Sequence, residues 1–176
     1  MKTRLIDEFF VYRYLGLLEC NIAIMNKIVR NILAAITGIV IGSVVNMGII
    51  NVQDSFIALP EGVDVTNPES LQSSMHLFEP KHFIFPFLAH AIGTLVGAYL
   101  SVRIAASHKM YFALGIGVFF LIGGISMVFM IPAPVWFIVA DLSLAYIPMS
   151  WLGWKLSREK PILIHTPHSW GLLFGG

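Results

Sequence analysis

Charge is what this chain has least of. Only 12% of its 176 residues are Asp, Glu, Lys or Arg, against about 25% in an ordinary soluble domain. With 11 basic and 10 acidic residues the net charge is +1, too little to hold a phosphate backbone, so nucleic acid is not an expected partner. The single cysteine, Cys20, excludes an intrachain disulfide and a cysteine-based metal cluster. It reads as a lone thiol in a peripheral segment. The short patterns that carry chemistry are missing too: no Gly-x-Ser-x-Gly, no His-Glu-x-x-His, no Cys-x-x-Cys, no haem-attachment motif and no phosphate loop. A bis-histidine haem needs two histidines inside apolar segments, and only His90 lies in one. No enzyme class is indicated, and no cofactor is expected.

Apolar sequence is what the chain has in excess. Hydrophobic residues make up 57% and the mean hydropathy is +0.79. They fall in four blocks, about 32–52, 83–104, 110–131 and 135–154, and a helix needs about 20 apolar residues to cross a bilayer. The expected fold class is therefore all-α: an integral membrane four-helix bundle over 25–156, with lipid as its solvent. Residues 1–24 mix charges with short apolar runs and read as a helix lying at the interface. Met25, followed by Asn26, Lys27 and Arg30 and then an apolar block, is a candidate start of its own. No cleavable signal peptide is expected, because the first apolar block outruns an h-region. Residues 157–176 read as a tail along the surface, with His165 and His168 exposed.

Basic residues set the orientation. Lys27 and Arg30 precede the first span, Arg103 and Lys109 join the second to the third, and Lys155, Arg158 and Lys160 follow the fourth. With four spans all three groups fall on one side, which predicts cytoplasmic termini. The one long loop, 51–81, carries Asp54, Glu61, Asp64, Glu69 and Glu79 against Lys81, and is predicted to face outward. Pro60-Glu-Gly62 and Asn67-Pro68 mark turns in it, and 71–78 is compatible with a short amphipathic helix. Trp136, Trp151 and Trp154 sit near the ends of the fourth span, where interfacial anchors belong.

The second span is the centre of the arrangement. It begins in a polar collar, Glu79, Lys81 and His82, and ends at Arg103. Ala89, Gly93, Gly97 and Ser101 recur every fourth residue and so form one ridge. Ala34, Gly38, Gly42 and Asn46 form a second ridge on the first span. Small residues at this spacing let helix backbones approach closely. An antiparallel pairing sets Gly42 beside Gly93, Gly38 beside Gly97 and Ala34 beside Ser101, and brings Asn46 near Ala89 and His90.

Counting about 1.5 Å per residue puts Asn46, His90 and Asp141 each roughly 10 Å below the outer surface. Ser126 lies a few residues inside the end of the third span, and Thr94 follows His90 by one turn. Asn46, His90, Thr94, Ser126 and Asp141 are thus a predicted polar layer in the outer third of the bundle. An unpaired carboxylate in hydrocarbon costs on the order of 3 kcal/mol or more, so Asp141 should face inward, and His90 is its natural partner. His76, Glu79 and His82 are spaced by three, so on a helix they would share one face and are weak metal candidates.

The runs Phe78-Glu-Pro-Lys-His-Phe83 and Pro86-Phe-Leu-Ala-His-Ala-Ile-Gly-Thr-Leu-Val-Gly-Ala98, with Gly123-Gly124, Trp136-Phe137, Asp141-Leu142, Ala145-Tyr146 and Pro148-Met149, resemble a group of small bacterial four-span membrane proteins of unassigned function. The resemblance covers Met25 to about Leu156. It implies a multi-pass inner-membrane protein and carries no activity or catalytic residue. The leading expectation is a non-enzymatic accessory or oligomer-forming subunit, with a second copy or another membrane protein as partner. The alternatives are a small transporter or proton-linked carrier using His90 and Asp141, and a membrane enzyme or metal protein.

Overall fold

The computed structural model describes residues 26–158 apart from positions 61, 65, 66 and 132. The readings made above for 1–24, Met25, Cys20, His165 and His168 lie outside the described residues. Among the described residues six α-helices follow one another: α1 Lys27–Val52, α2 Pro68–Ser74, α3 Ile84–Ile104, α4 Lys109–Met130, α5 Val135–Leu144 and α6 Ile147–Arg158. Short 3-10 turns cover Gln53–Ser55, Met75–Leu77 and Pro80–Phe83. Taking the 3-10 turn with α3, and α5 with α6, four helical segments among the described residues are long and apolar enough to cross a membrane. The chain is an all-α bundle.

Its interior and exterior are inverted relative to a soluble protein. Buried positions are mostly small: Ala34, Ala89, Ala98, Ala113 and Ala145 are all 0% exposed. Large apolar side chains instead line the outside, with Phe129 86% exposed and Val135 76%. In water such a surface would drive aggregation. In lipid it costs nothing, and close backbone packing between small residues takes over as the force that joins helices.

Helix limits follow from local chemistry. The Asn26 side chain accepts from the Ile28 N–H at 3.0 Å and opens α1. Asn67 caps α2 through Glu69 N–H at 2.9 Å, with Pro68 in the first turn, where a missing N–H is harmless. The short loop helix therefore begins earlier than the apolar pattern of 71–78 suggests, because its cap and proline sit at 67–68. The fourth span is broken. Pro148 has no N–H to offer the Leu144 carbonyl four residues back, α5 stops at Leu144 and α6 resumes at Ile147.

At one end of the bundle α1 clasps the turn after α3. Arg30 donates through Nε and Nη2 to the Ile104 carbonyl at 3.3 and 3.2 Å. Asn31 accepts from the Ala106 N–H at 2.9 Å and donates to Ser107 Oγ at 3.3 Å. A guanidinium on the last carbonyls of a helix also suits the negative end of its dipole. His108 then takes a left-handed conformation, φ 50°, to turn the chain into α4. At the other end His82, 4% exposed, ties the loop to the bundle. Its Nδ1 accepts from the Glu79 N–H at 2.9 Å, and its Nε2 meets the Ala58 carbonyl at 3.2 Å.

Candidate functional site

Helix α3 crosses the bundle with two working faces. One holds Ala89, Gly93, Gly97 and Ser101, and packs on α1. A Cβ built on Gly97 would lie 2.5 Å from the Gly38 carbonyl oxygen, one on Gly38 2.8 Å from that of Gly97, one on Gly42 2.9 Å from that of Gly93, and one on Gly93 2.8 Å from that of Gly42. These backbones touch reciprocally, and no side chain larger than hydrogen fits between them. Ser101 Cβ lies against Gly38 as well, and Ala34 is fully buried.

The second face carries His90, about 100° round the helix from Ala89. Its Nδ1 lies 2.9 Å from both Oδ1 and Oδ2 of Asp141 on α5. The Tyr146 hydroxyl donates to Asp141 Oδ2 at 3.0 Å, and the Tyr146 ring stacks on His90 at 5.6 Å and 29°. A carboxylate can only accept, so with Asp141 ionised the proton of the imidazole sits on Nδ1 and Nε2 is left as the second ring site. The Asp141 side chain is 6% exposed and that of His90 23%. Among the described residues Nε2 has no hydrogen-bond partner.

The arrangement sits at the helix break. On an uninterrupted helix a residue five positions on lies about 140° away from its starting point, so Tyr146 would point away from Asp141. Tyr146 lies in the turn between α5 and α6, and its hydroxyl reaches Asp141 from there. Gly124 on α4 makes room: a Cβ there would come within 2.7 Å of Tyr146 Cζ. Tyr146 is the largest fully buried side chain among the described residues. The sequence reading missed it as a site residue. Its signal was a phenol inside a span, five residues past a carboxylate and two before a proline.

The remaining predicted residues divide. Thr94 follows His90 by one turn, is 1% exposed, and its Oγ1 has no partner among the described residues. Asn46 is half-buried and packs on the glycine face, its Cβ 3.0 Å from where a Gly93 Cβ would lie. It makes no hydrogen bond to His90 or Asp141. Ser126 does not join the layer: it is exposed and donates to the Ile122 carbonyl of its own helix at 2.9 Å. The inward face of α4 is set by Ala113, Ile116, Gly117 and Gly124, and Ser126 stands about 180° from Gly117. Its angle around α4 points it outward.

The metal candidates also come apart. Phe78 and Glu79 are extended, ψ 125° and 160°, so His76 and His82 belong to separate 3-10 turns and no common helix face exists. His76 is exposed and bonded to the Ser73 carbonyl, and His82 is engaged as described. Among the described residues no three His, Cys, Asp or Glu side chains could hold a metal. Glu79 instead pairs with Lys81 at 3.0 Å. That hydrogen bond and charge hold its carboxyl below the ordinary value of 4.5.

No family model, curated protein or solved structure matches the chain.

Proposed function

We propose that the chain is a non-enzymatic inner-membrane subunit, an accessory or oligomer-forming protein with both termini in the cytoplasm and the acidic loop outside. One observation carries the functional part. The single carboxylate inside the spans accepts from both His90 and Tyr146, at a junction of two spans. A carboxylate shared in this way between a histidine of one span and a tyrosine of its own span pins the spans to one another. The topology is supported by the clasp of Arg30 and Asn31 on 104–107, which gathers Lys27, Arg30, Arg103 and Lys109 at one end of the bundle. The test has two parts. Reporter fusions after Pro60 should be active only outside, and fusions at Ser107 only inside. His90→Ala and Asp141→Ala should fail to accumulate or melt early in detergent, while the native protein in vesicles carries no proton current.

A second reading, a proton-linked carrier, draws on the open Nε2 of His90 and the partnerless Thr94 Oγ1 one turn away. It predicts the reverse pattern. His90→Gln would keep full stability and lose a measurable flux.

A further inference from the structure

Helix α3 packs closely on α6 and only lightly on α5. A groove of about 260 Å³ lies between the loop-side ends of α3 and α5. Its walls are Phe83, Phe87, Trp136, Ala140 and Leu144, with Pro80 at the mouth. It runs from the collar about 12 Å into the bilayer, the rise of eight helical residues. Its upper part is ringed by aromatics: Phe83 lies 4.9 Å from Phe137 and 5.6 Å from Trp136. Asp141 lies outside the groove wall, so the polar pin is not part of this surface.

The mouth carries both signs of charge. Glu79 and Lys81 flank Pro80 on either side, bonded to each other at 3.0 Å, with side chains 65% and 54% exposed. An apolar slot beside an exposed paired cation and anion suits a lipid whose headgroup carries both a phosphate and a primary ammonium. We propose that the groove seats an acyl chain of a phosphatidylethanolamine, whose phosphate meets Lys81 and whose primary ammonium donates to Glu79. A phosphatidylglycerol supplies no cation for Glu79. A phosphatidylcholine ammonium has no N–H to donate.

The test uses full-length protein in which Trp136 is the only tryptophan (Trp151, Trp154 and Trp170 replaced by Phe). It is reconstituted in vesicles holding equal mole fractions of one brominated lipid, which quenches tryptophan on contact. Brominated phosphatidylethanolamine should quench Trp136 with an apparent affinity about two- to threefold above that of phosphatidylglycerol or phosphatidylcholine, the size expected of exposed charge contacts. Glu79→Gln should remove the preference while leaving the groove. Ala140→Phe should fill the slot and leave only the headgroup-independent quenching of surrounding lipid. Equal quenching by all three lipids in the native groove would overturn the proposal. So would a preference that persists in Ala140→Phe, which would place the lipid elsewhere.

Discussion

Helix α3 is joined to the bundle twice, and the two joints use opposite chemistry. Towards α1 it offers backbone: Gly93 and Gly97 lie against Gly42 and Gly38 with nothing between them. Towards α5 and α6 it offers a side chain, His90, reaching a carboxylate and a phenol. The first joint depends on what is absent, since a single added methyl group meets a carbonyl oxygen. The second depends on mutual satisfaction, since each polar group is tolerable in lipid only while the others are present. The two joints should therefore fail differently. The glycine joint resists any larger side chain, whatever its polarity. The polar joint resists any single loss but should forgive a concerted one.

The largest effect is expected from breaking the polar joint on one side. His90→Ala leaves Asp141 with Tyr146 alone, and removing one partner of a buried pair costs about 3–5 kcal/mol. The variant should fall sharply in membrane yield and in detergent melting temperature. The concerted replacement, His90→Leu with Asp141→Leu, should recover most of that loss, because apolar pairs of similar volume often match buried ion pairs. A double variant as unstable as the single one would show that the pair does more than hold helices.

Next comes Gly97→Ile. The atom it meets is the Gly38 carbonyl oxygen, which cannot rotate away, so α1 must move off α3 at a cost of about 1–3 kcal/mol or more. Here no second substitution on α1 helps, since Gly38 is already the smallest residue. Gly115→Ile and Gly123→Ile on α4 are the controls. Nothing lies within 4 Å of either Cβ, and both should melt within about 0.5 kcal/mol of the native protein. A smaller loss belongs to Tyr146→Phe, which keeps the stacked ring and removes one donor. About 1 kcal/mol is expected, the usual scale of a hydrogen bond inside a membrane bundle.

The glycine joint was legible in the sequence and the polar joint only in part, for a physical reason. A ridge of small residues every fourth position is a one-dimensional signal, so Gly38, Gly42, Gly93 and Gly97 could be paired by register alone. Depth is one-dimensional as well, which is why His90 and Asp141 could be matched across 51 residues. Angle around the axis is not read from depth. Ser126 stands on the outward face of α4, and Asn46 turned out to belong to the glycine joint. Tyr146 was hidden by a break that the proline hinted at but did not aim. The clasp of Arg30 and Asn31 was invisible because its acceptors and donors are largely backbone groups, which every residue carries.

Acid should separate the two joints by their rims, and this is the smallest effect. No titratable side chain takes part in the glycine contact. The α3–α5 side opens at Glu79, whose carboxyl is held below 4.5 by Lys81. A depressed carboxyl lends stability above its unfolded value and loses it as pH falls through the folded one. Lowering pH from 7 to 5 should therefore leave the contribution of the pair intact, and it should fade only below about 4.5. Because both groups are exposed, the change is expected to be slight and to vanish in high salt. The measurement is the difference in melting temperature between native protein and Lys81→Ala across that range. A difference that already closes between pH 7 and 5 would show that the Glu79–Lys81 pair is not what the acid removes.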